Sequence, residues 1–399
     1  MEKAICKQLE IKILIYLKKY ILFILSILIS FTSISQSVVN HKDNELISLL
    51  KGKDKLIDLV LDNQDKYHLQ INFTKVDANK NEITLHDYSL NKDKHYFHPA
   101  SLIKLPIAIT SLELFSKFEE DYGIDLNTFV HSETCSCDFN TDKYVNNKMR
   151  PNLDILLREM LIMSNNDAYN FFFNFSGPTY FNRRMKELSL NNIILRNRFY
   201  AGCTYQGANE HGGLYFQKDN SSNKYKIGCI KDSLRTIEQS LYLNYPNSRS
   251  SNVVSLYSIH RLMIQLFYPQ SFNPDFKLFL SSKNLDFLKT TLCSYPNSLP
   301  NYQNIPSHFH KYLMPSAFLN KQNNNIKIYS KNGNAGGYIS DVMFLNDEEH
   351  HVKYFLSVSM LNYKQKSYYK RRVIYTTPGI DVFRKISNVL YEYAKKQTH

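Results

Sequence analysis

The sequence predicts an α+β fold, in which an antiparallel five-stranded sheet is flanked by helices and joined to a helical lobe. Segments with the short length and alternation of β-strands occur near both ends of the chain. They are 67–74, 81–88, a run ending near Lys331, 338–345 and 352–360. The residues between the two groups carry apolar side chains mainly at helical spacing. A final amphipathic segment, 378–395, begins at Pro378 and predicts a closing helix.

The individual elements follow in order along the chain. Turn-forming residues at 77–80 separate the first two strands and predict a hairpin. The nearly continuous apolar content of 103–118 predicts a buried helix, and 153–163 predicts a second helix that ends at Ser164. Pro106 lies inside the first of these helices and removes one backbone hydrogen bond, which is tolerable only in the opening turns.

The N-terminal residues have the features of an export signal. Two lysines precede the apolar residues 20–31, and the small residues Ser33 and Ser35 offer a cleavage point. We therefore interpret 1–35 as a signal peptide and expect an exported protein, periplasmic or extracellular. The apolar run is short for a membrane span, so contact with a membrane is expected only if the leader stays uncleaved.

The remaining chain is long enough for one large domain. We interpret 36–66 as an N-terminal segment and 67–398 as a single large domain, with an insertion at 200–250. We expect a monomer.

Charge and cysteine content exclude several classes of function. The formal net charge is +13, but lysine and arginine are scattered and no nucleic-acid-binding motif accompanies them, so no nucleic acid partner is expected. Cys135 and Cys137 lack the spacing of a zinc site. His308 and His310 would share one face of a strand, but no third ligand is near in sequence. We therefore expect no metal and no cofactor.

The first motif with chemical content is Ser101-x-x-Lys104, at the start of the apolar helix. Residues three apart on a helix share a face, so a neutral Lys104 amine could take the proton of the Ser101 hydroxyl. This spacing alone is weak evidence, because it recurs elsewhere in the chain.

Two further motifs follow in order. Ser164-x-Asn166 lies between two hydrophobic segments, and Lys331-x-Gly333 ends a strand-like run. Each has a simpler explanation: Ser164 has the features of a helix N-cap, with Asp167 three residues later, and the third motif could be an ordinary turn.

The three motifs together resemble the signature of the class A β-lactamases and the penicillin-recognising serine enzymes. The resemblance extends over 67–395. It implies a fold with a cleft between sheet and helical lobe, an acyl-enzyme mechanism, and a small-molecule β-lactam or a cell-wall peptide as substrate.

The resemblance also implies roles for the first two motifs. Ser101 would attack the acyl carbonyl with Lys104 as base, and Ser164 would pass a proton to the leaving nitrogen. Asn166 would hold the amide side chain of the substrate. Asn165 stands where the family usually has an aspartate with a structural role.

The third motif would bind substrate through Lys331, Asn332 and Gly333, with Lys331 facing the substrate carboxylate. Backbone amides of Ser101 and Asn334 would form the oxyanion hole. Asn332 replaces the usual threonine or serine, which leaves the contact of this position with the carboxylate open.

The largest departure concerns deacylation. Class A β-lactamases use a glutamate in a loop beyond the second motif. Glu187 comes too early in the chain for this role, and residues 196–202, where the loop is expected, contain Phe199 and Tyr200 but no acid. Glu210 is a candidate base if the loop has been rebuilt.

The sequence therefore predicts an exported serine hydrolase that opens β-lactams through an acyl-enzyme on Ser101 and deacylates slowly. Two alternatives stay open. One is a penicillin-recognising D-Ala-D-Ala peptidase or esterase, and the other is a non-catalytic module that binds β-lactams or cell wall.

Overall fold

The computed structural model describes nine stretches of the chain. They are residues 43–79, 82–132, 151–199, 214–217, 224–227, 251–306, 308–319, 325–362 and 379–397. The predicted signal peptide, Glu210 and most of the predicted insertion lie outside these residues. Among the helices in the described stretches, none has the length and apolar character needed to cross a membrane.

A five-stranded antiparallel sheet forms the centre of the fold, as predicted. Its strands are β1 (Gln70–Asn79), β2 (Glu82–Leu90), β8 (Ile326–Ala335), β9 (Tyr338–Asp347) and β10 (Val352–Leu361). The order across the sheet is β2-β1-β10-β9-β8, so the N-terminal hairpin joins a C-terminal meander. Strand β8, which carries the third motif, is therefore an edge strand.

Nine helices accompany the sheet in the described residues. They are α1 (Asp43–Leu50), α2 (Lys55–Asp62), α3 (Lys104–Tyr122), α4 (Leu153–Ile162), α5 (Asn166–Ser176), α6 (Pro178–Glu187), α7 (Leu256–Phe267), α8 (Ser282–Cys293) and α9 (Gly379–Lys396). Five shorter strands pair outside the main sheet. They are β3 (Phe129–Ser132), β4 (Ile193–Ile194), β5 (Leu214–Gln217), β6 (Lys224–Ile227) and β7 (Val253–Val254).

Several predicted boundaries need correction. The first hairpin continues through the predicted turn, because Asp77 pairs with Thr84 and Asn79 pairs with Glu82. Ser101 does not lie on the α-helix itself, since Ala100–Ile103 forms a 3₁₀ turn and α3 begins at Lys104. Pro106 is the third residue of α3, which is the opening turn where proline is tolerated.

Apolar side chains cover both faces of the main sheet. On one face, α1, α2 and α9 supply Leu46, Ile57 and Leu390 to the core. On the other face, α7 and the helical lobe form a larger core that includes Phe172 and Phe355. The 3₁₀ turn packs directly against β8. The fold thus brings the first and third motifs together at the sheet edge.

Candidate active site

Two lysine side chains join the three motifs. Lys104 Nζ donates hydrogen bonds to the backbone carbonyl of Ser164 and to Asn166 Oδ1, the latter at 2.6 Å. Lys331 Nζ donates to Ser164 Oγ. The structure therefore brings together four of the predicted site residues from three separate parts of the chain.

Ser101 is partly exposed beside these buried groups, as a nucleophile must be. Its 3₁₀ turn begins at Ala100, which has a left-handed φ of 46° and donates its backbone N–H to His98 Nδ1 at 3.1 Å. In the described contacts, Lys104 is bonded to the second motif and makes no hydrogen bond to the Ser101 hydroxyl. A neutral Lys104 amine has two N–H groups, and these two acceptors use both of them. Its lone pair therefore stays free to take the Ser101 proton.

Gly333 is required by a close approach between β8 and the serine turn. A Cβ atom at this position would lie 2.4 Å from the carbonyl oxygen of Pro99 and 2.8 Å from Ser340 Oγ. The Pro99 carbonyl closes the turn by accepting from the Leu102 amide at 2.9 Å. Glycine thus lets the edge strand fit directly against the turn that carries Ser101.

The interpretation of Ser164 as a helix cap is wrong. Asn165 is the N-cap of α5, and its Oδ1 accepts from the amides of Asp167 at 2.8 Å and Ala168 at 3.1 Å. Asn165 Nδ2 also donates to Glu159 Oε2 at 2.7 Å, which ties α4 to α5. Ser164 adopts a left-handed φ of 53°. With capping left to its neighbour, the Ser164 hydroxyl is available for chemistry.

The Asn332 side chain lies inside the protein beneath the cleft. Its Oδ1 accepts from Lys331 Nζ at 3.3 Å, and its Nδ2 lies 3.3 Å from His310 Nδ1. The prediction that His308 and His310 share a strand face is wrong, because both lie in a turn before β8. Sequence reasoning missed His310 as a neighbour of the third motif, since no local pattern links positions 22 residues apart.

Burial controls the charge of both site lysines. Lys104 is 0% exposed, and loss of solvation, aided by the nearby Lys331 cation, lowers its pKa well below the ordinary value. Lys331 is 1% exposed, and burial chiefly lowers its pKa to about 7. A neutral Lys104 can act as base, while Lys331 is close to half charged at neutral pH. The oxyanion-hole assignment to the amides of Ser101 and Asn334 stays a prediction.

A loop before the predicted insertion reaches the site and is held by asparagine side chains. Asn170 on α5 clamps Phe199, donating to its carbonyl and accepting from its amide at 2.9 Å each. Asn252 Oδ1 accepts from the amides of Arg196 at 2.7 Å and Asn197 at 2.9 Å. These two anchors fix the main chain of the loop. Sequence reasoning missed both asparagines.

The aromatic ring of Phe199 lies over the base. Its centroid is 5.1 Å from Lys104 Nζ and 4.3 Å from the ring centroid of Tyr169. In the described residues no carboxylate forms an ion pair with Lys104. Glu187 lies away from the site, at the end of α6, where it pairs with Arg184 at 3.1 Å. The described residues hold no group of three His, Cys, Asp or Glu side chains able to bind a metal ion.

Comparisons with known proteins agree with the motifs and the fold. Residues 53–238 match the model of a family described as beta-lactamase enzyme family. The fold is similar to that of TLA-3 extended-spectrum beta-lactamase, with 14% identity, 88% of this chain and 97% of that chain covered, and a TM-score of 0.51. A beta-lactamase from Desulfarculus baarsii DSM 2075 gives 13% identity, 88% and 97% coverage, and a TM-score of 0.51.

A third solved structure, PBP-A, is similar at 15% identity, with 89% of this chain and 96% of that chain covered and a TM-score of 0.49. A search of the curated proteins found no match. The fold that the three motifs imply is confirmed by the two structures with TM-scores of 0.51, and the chain has a beta-lactamase-like fold.

Proposed function

We propose that this chain, which has the fold of the class A beta-lactamases, is a penicillin-recognising serine enzyme whose acyl-enzyme on Ser101 is long-lived. The observation that carries the proposal is the position of Phe199. The site has the groups needed to form an acyl-enzyme, but an aromatic ring lies beside the base on the side where the loop approaches.

The acylation step follows from the contacts of the two lysines. The Ser101 hydroxyl oxygen forms a bond to the acyl carbonyl carbon, and its proton passes to the lone pair of Lys104. As the carbon–nitrogen bond of the substrate breaks, the Ser164 hydroxyl gives its proton to the leaving nitrogen. Lys331, which donates to Ser164 Oγ, replaces that proton. Lys331 also supplies a positive charge for a substrate carboxylate.

Deacylation needs a base that activates water, and no carboxylate of the described residues makes a hydrogen bond to Lys104, although Asp167 attracts it electrostatically. The Phe199 ring packs on Tyr169 and lies over the amine. Glu210 remains the candidate outside the described residues. A persistent acyl-enzyme suits a peptidase or transferase that passes its acyl group to an acceptor, so we favour a cell-wall peptide as natural substrate over rapid β-lactam hydrolysis. The leader sequence supports a location outside the cytoplasm.

Replacement of Phe199 tests this proposal. We expect Phe199→Glu to place a carboxylate near the acyl-enzyme and to speed hydrolysis of a penicillin adduct by about 10²-fold, the lower range for general base catalysis. Glutamine has the shape of glutamate but is not a base, so Phe199→Gln should keep the adduct. Phe199→Leu controls for loss of the aromatic ring. Adduct decay is followed by intact-protein mass.

Two results would contradict the proposal. One is rapid turnover of penicillin by the unchanged protein. The other is equal decay in Phe199→Glu and Phe199→Gln while both remain folded and acylate normally. Glu210→Gln tests the other candidate base. Slower decay of the adduct in that variant would assign the base to Glu210, which lies outside the described residues.

A further inference from the structure

A small cavity lies behind the third motif, between helix α8 and the edge strand β8. It has a volume of about 10 Å³, which is room for about one particle of the size of a water molecule. Its polar lining includes Thr291 from α8, His310 and Lys311 from the turn before β8, and Ser330 from β8.

Lys311 brings a positive charge to the cavity, and no carboxylate of the described residues is bonded to it directly, although Asp341 attracts it electrostatically. Its side chain is buried, with 4% of the residue exposed. Nζ donates to the backbone carbonyls of Leu292 at 2.9 Å and Ile328 at 2.7 Å. An ammonium has three hydrogens, so one is left over. Among the described residues, no carboxylate forms an ion pair with Lys311.

The hydroxyl groups of the cavity are also without partners. Thr291 Oγ1 and Ser330 Oγ are buried and make no hydrogen bond in the described part of the chain. Buried hydroxyls are normally bonded, so an unpartnered pair on one cavity indicates a missing ligand.

His310 adds a further donor. The side-chain oxygen of Asn332, Oδ1, accepts from Lys331. The side-chain nitrogen, Nδ2, is therefore the group that faces His310 Nδ1 and donates to it. Burial and the neighbouring lysines keep His310 neutral by lowering its pKa to about 3. The proton of the neutral ring therefore resides on Nε2.

The charge balance of this region favours an anion. Two buried ammonium groups, Lys311 and Lys331, interact electrostatically with the single buried carboxylate Asp341. Asp341 itself accepts from the Leu313 amide at 3.0 Å. The single carboxylate can balance only one of the two lysines, so an excess of positive charge remains whenever both are protonated, in a region of low dielectric constant where an unpaired charge is costly.

We propose that this cavity binds a small monovalent anion of the halide class, held by the Lys311 ammonium and the hydroxyls of Thr291 and Ser330. The ligands of the anion are not the groups proposed for acyl transfer, although Lys331 enters the charge balance, so the two proposals can fail separately. Its consequence does reach the site. Ser330 is next in sequence to Lys331. A negative charge bound beside Ser330 therefore favours the charged form of Lys331.

Bromide serves as the crystallographic probe. Crystals grown in sodium gluconate, whose anion is too large for the cavity, are transferred to sodium bromide. We expect an anomalous peak in the cavity near Lys311 Nζ, and none in Lys311→Met. Density without anomalous signal would mean an ordered water only and would overturn the proposal. A bromide ion seen in the crystal but without effect on the protein in solution would also overturn it.

The solution test compares thermal unfolding in sodium chloride and in sodium gluconate at equal ionic strength. We expect a saturable rise in Tm with chloride for the unchanged protein. Lys327→Met, a control that removes an exposed lysine from β8, the strand that carries Ser330, should show the same rise. Lys311→Met should lose this rise. Because that variant could fail to fold, Ser330→Ala is measured too, and its chloride affinity should fall about tenfold, as for one hydrogen bond to a charged group. Equal chloride dependence in all variants would refute the site.

Discussion

Substitution of Gly333 by alanine tests how β8 positions the nucleophile. The new Cβ would lie 2.4 Å from the Pro99 carbonyl oxygen, whereas ordinary contact begins at 3.4 Å. The carbonyl must therefore move by about 1 Å, and because it closes the 3₁₀ turn through Leu102, Ser101 moves with it. A misplacement of about 1 Å costs about 10²-fold in rate, and overpacking costs about 1–3 kcal/mol in stability.

The assay is the rate of penicillin acylation, measured by intact-protein mass on samples shown to be folded by circular dichroism. Gly52→Ala is the matched control, since Gly52 has a φ of 75° with open space around its Cβ position and lies in the exposed turn between α1 and α2. It should lose about 1–2 kcal/mol from backbone strain and acylate normally. Gly333→Ala that acylates at the unchanged rate would show that this contact does not set the position of Ser101.

Two other predictions concern the lysines. Lys104→Arg keeps a basic side chain of similar length but has no accessible neutral form, so acylation should fall at least about 10²-fold, and near-normal acylation would assign the base to another group. Acylation by a penicillin should decline as pH rises through about 7, because Lys331 then loses the proton that attracts the substrate carboxylate. It should also decline at acidic pH, as Lys104 becomes protonated. An ester substrate without a carboxylate should lose the part of the alkaline decline that comes from carboxylate binding and keep the part that comes from the Lys331 proton passed through Ser164. An alkaline decline equally steep with both substrates would contradict the role of Lys331 in binding the carboxylate.

The sequence was sufficient to predict the sheet and the joining of the three motifs. The apolar content of β9 and β10 and the apolar run of α3 are local patterns, which can be recognised without knowledge of the residues that pack against them. The ordered motifs then located Lys104, Ser164 and Lys331.

Features that depend on contacts between distant residues were beyond the sequence. Asn165, and not Ser164, is the N-cap of α5. Ser164 adopts a left-handed φ, and the helix begins one residue later than predicted. The clamp of Asn170 on Phe199 joins residues 29 positions apart, and asparagine is too common to signal such a role. Lys311 also gave no signal, since a single lysine in a sequence is ordinarily exposed.

Intact-protein mass after incubation with a penicillin tests the central claim most directly. The account predicts one adduct per chain with the full mass of the penicillin, located on Ser101 by peptide mapping and persisting long after free penicillin is removed. Absence of an adduct on the folded protein, or an adduct on another residue while Ser101 stays free, would contradict it.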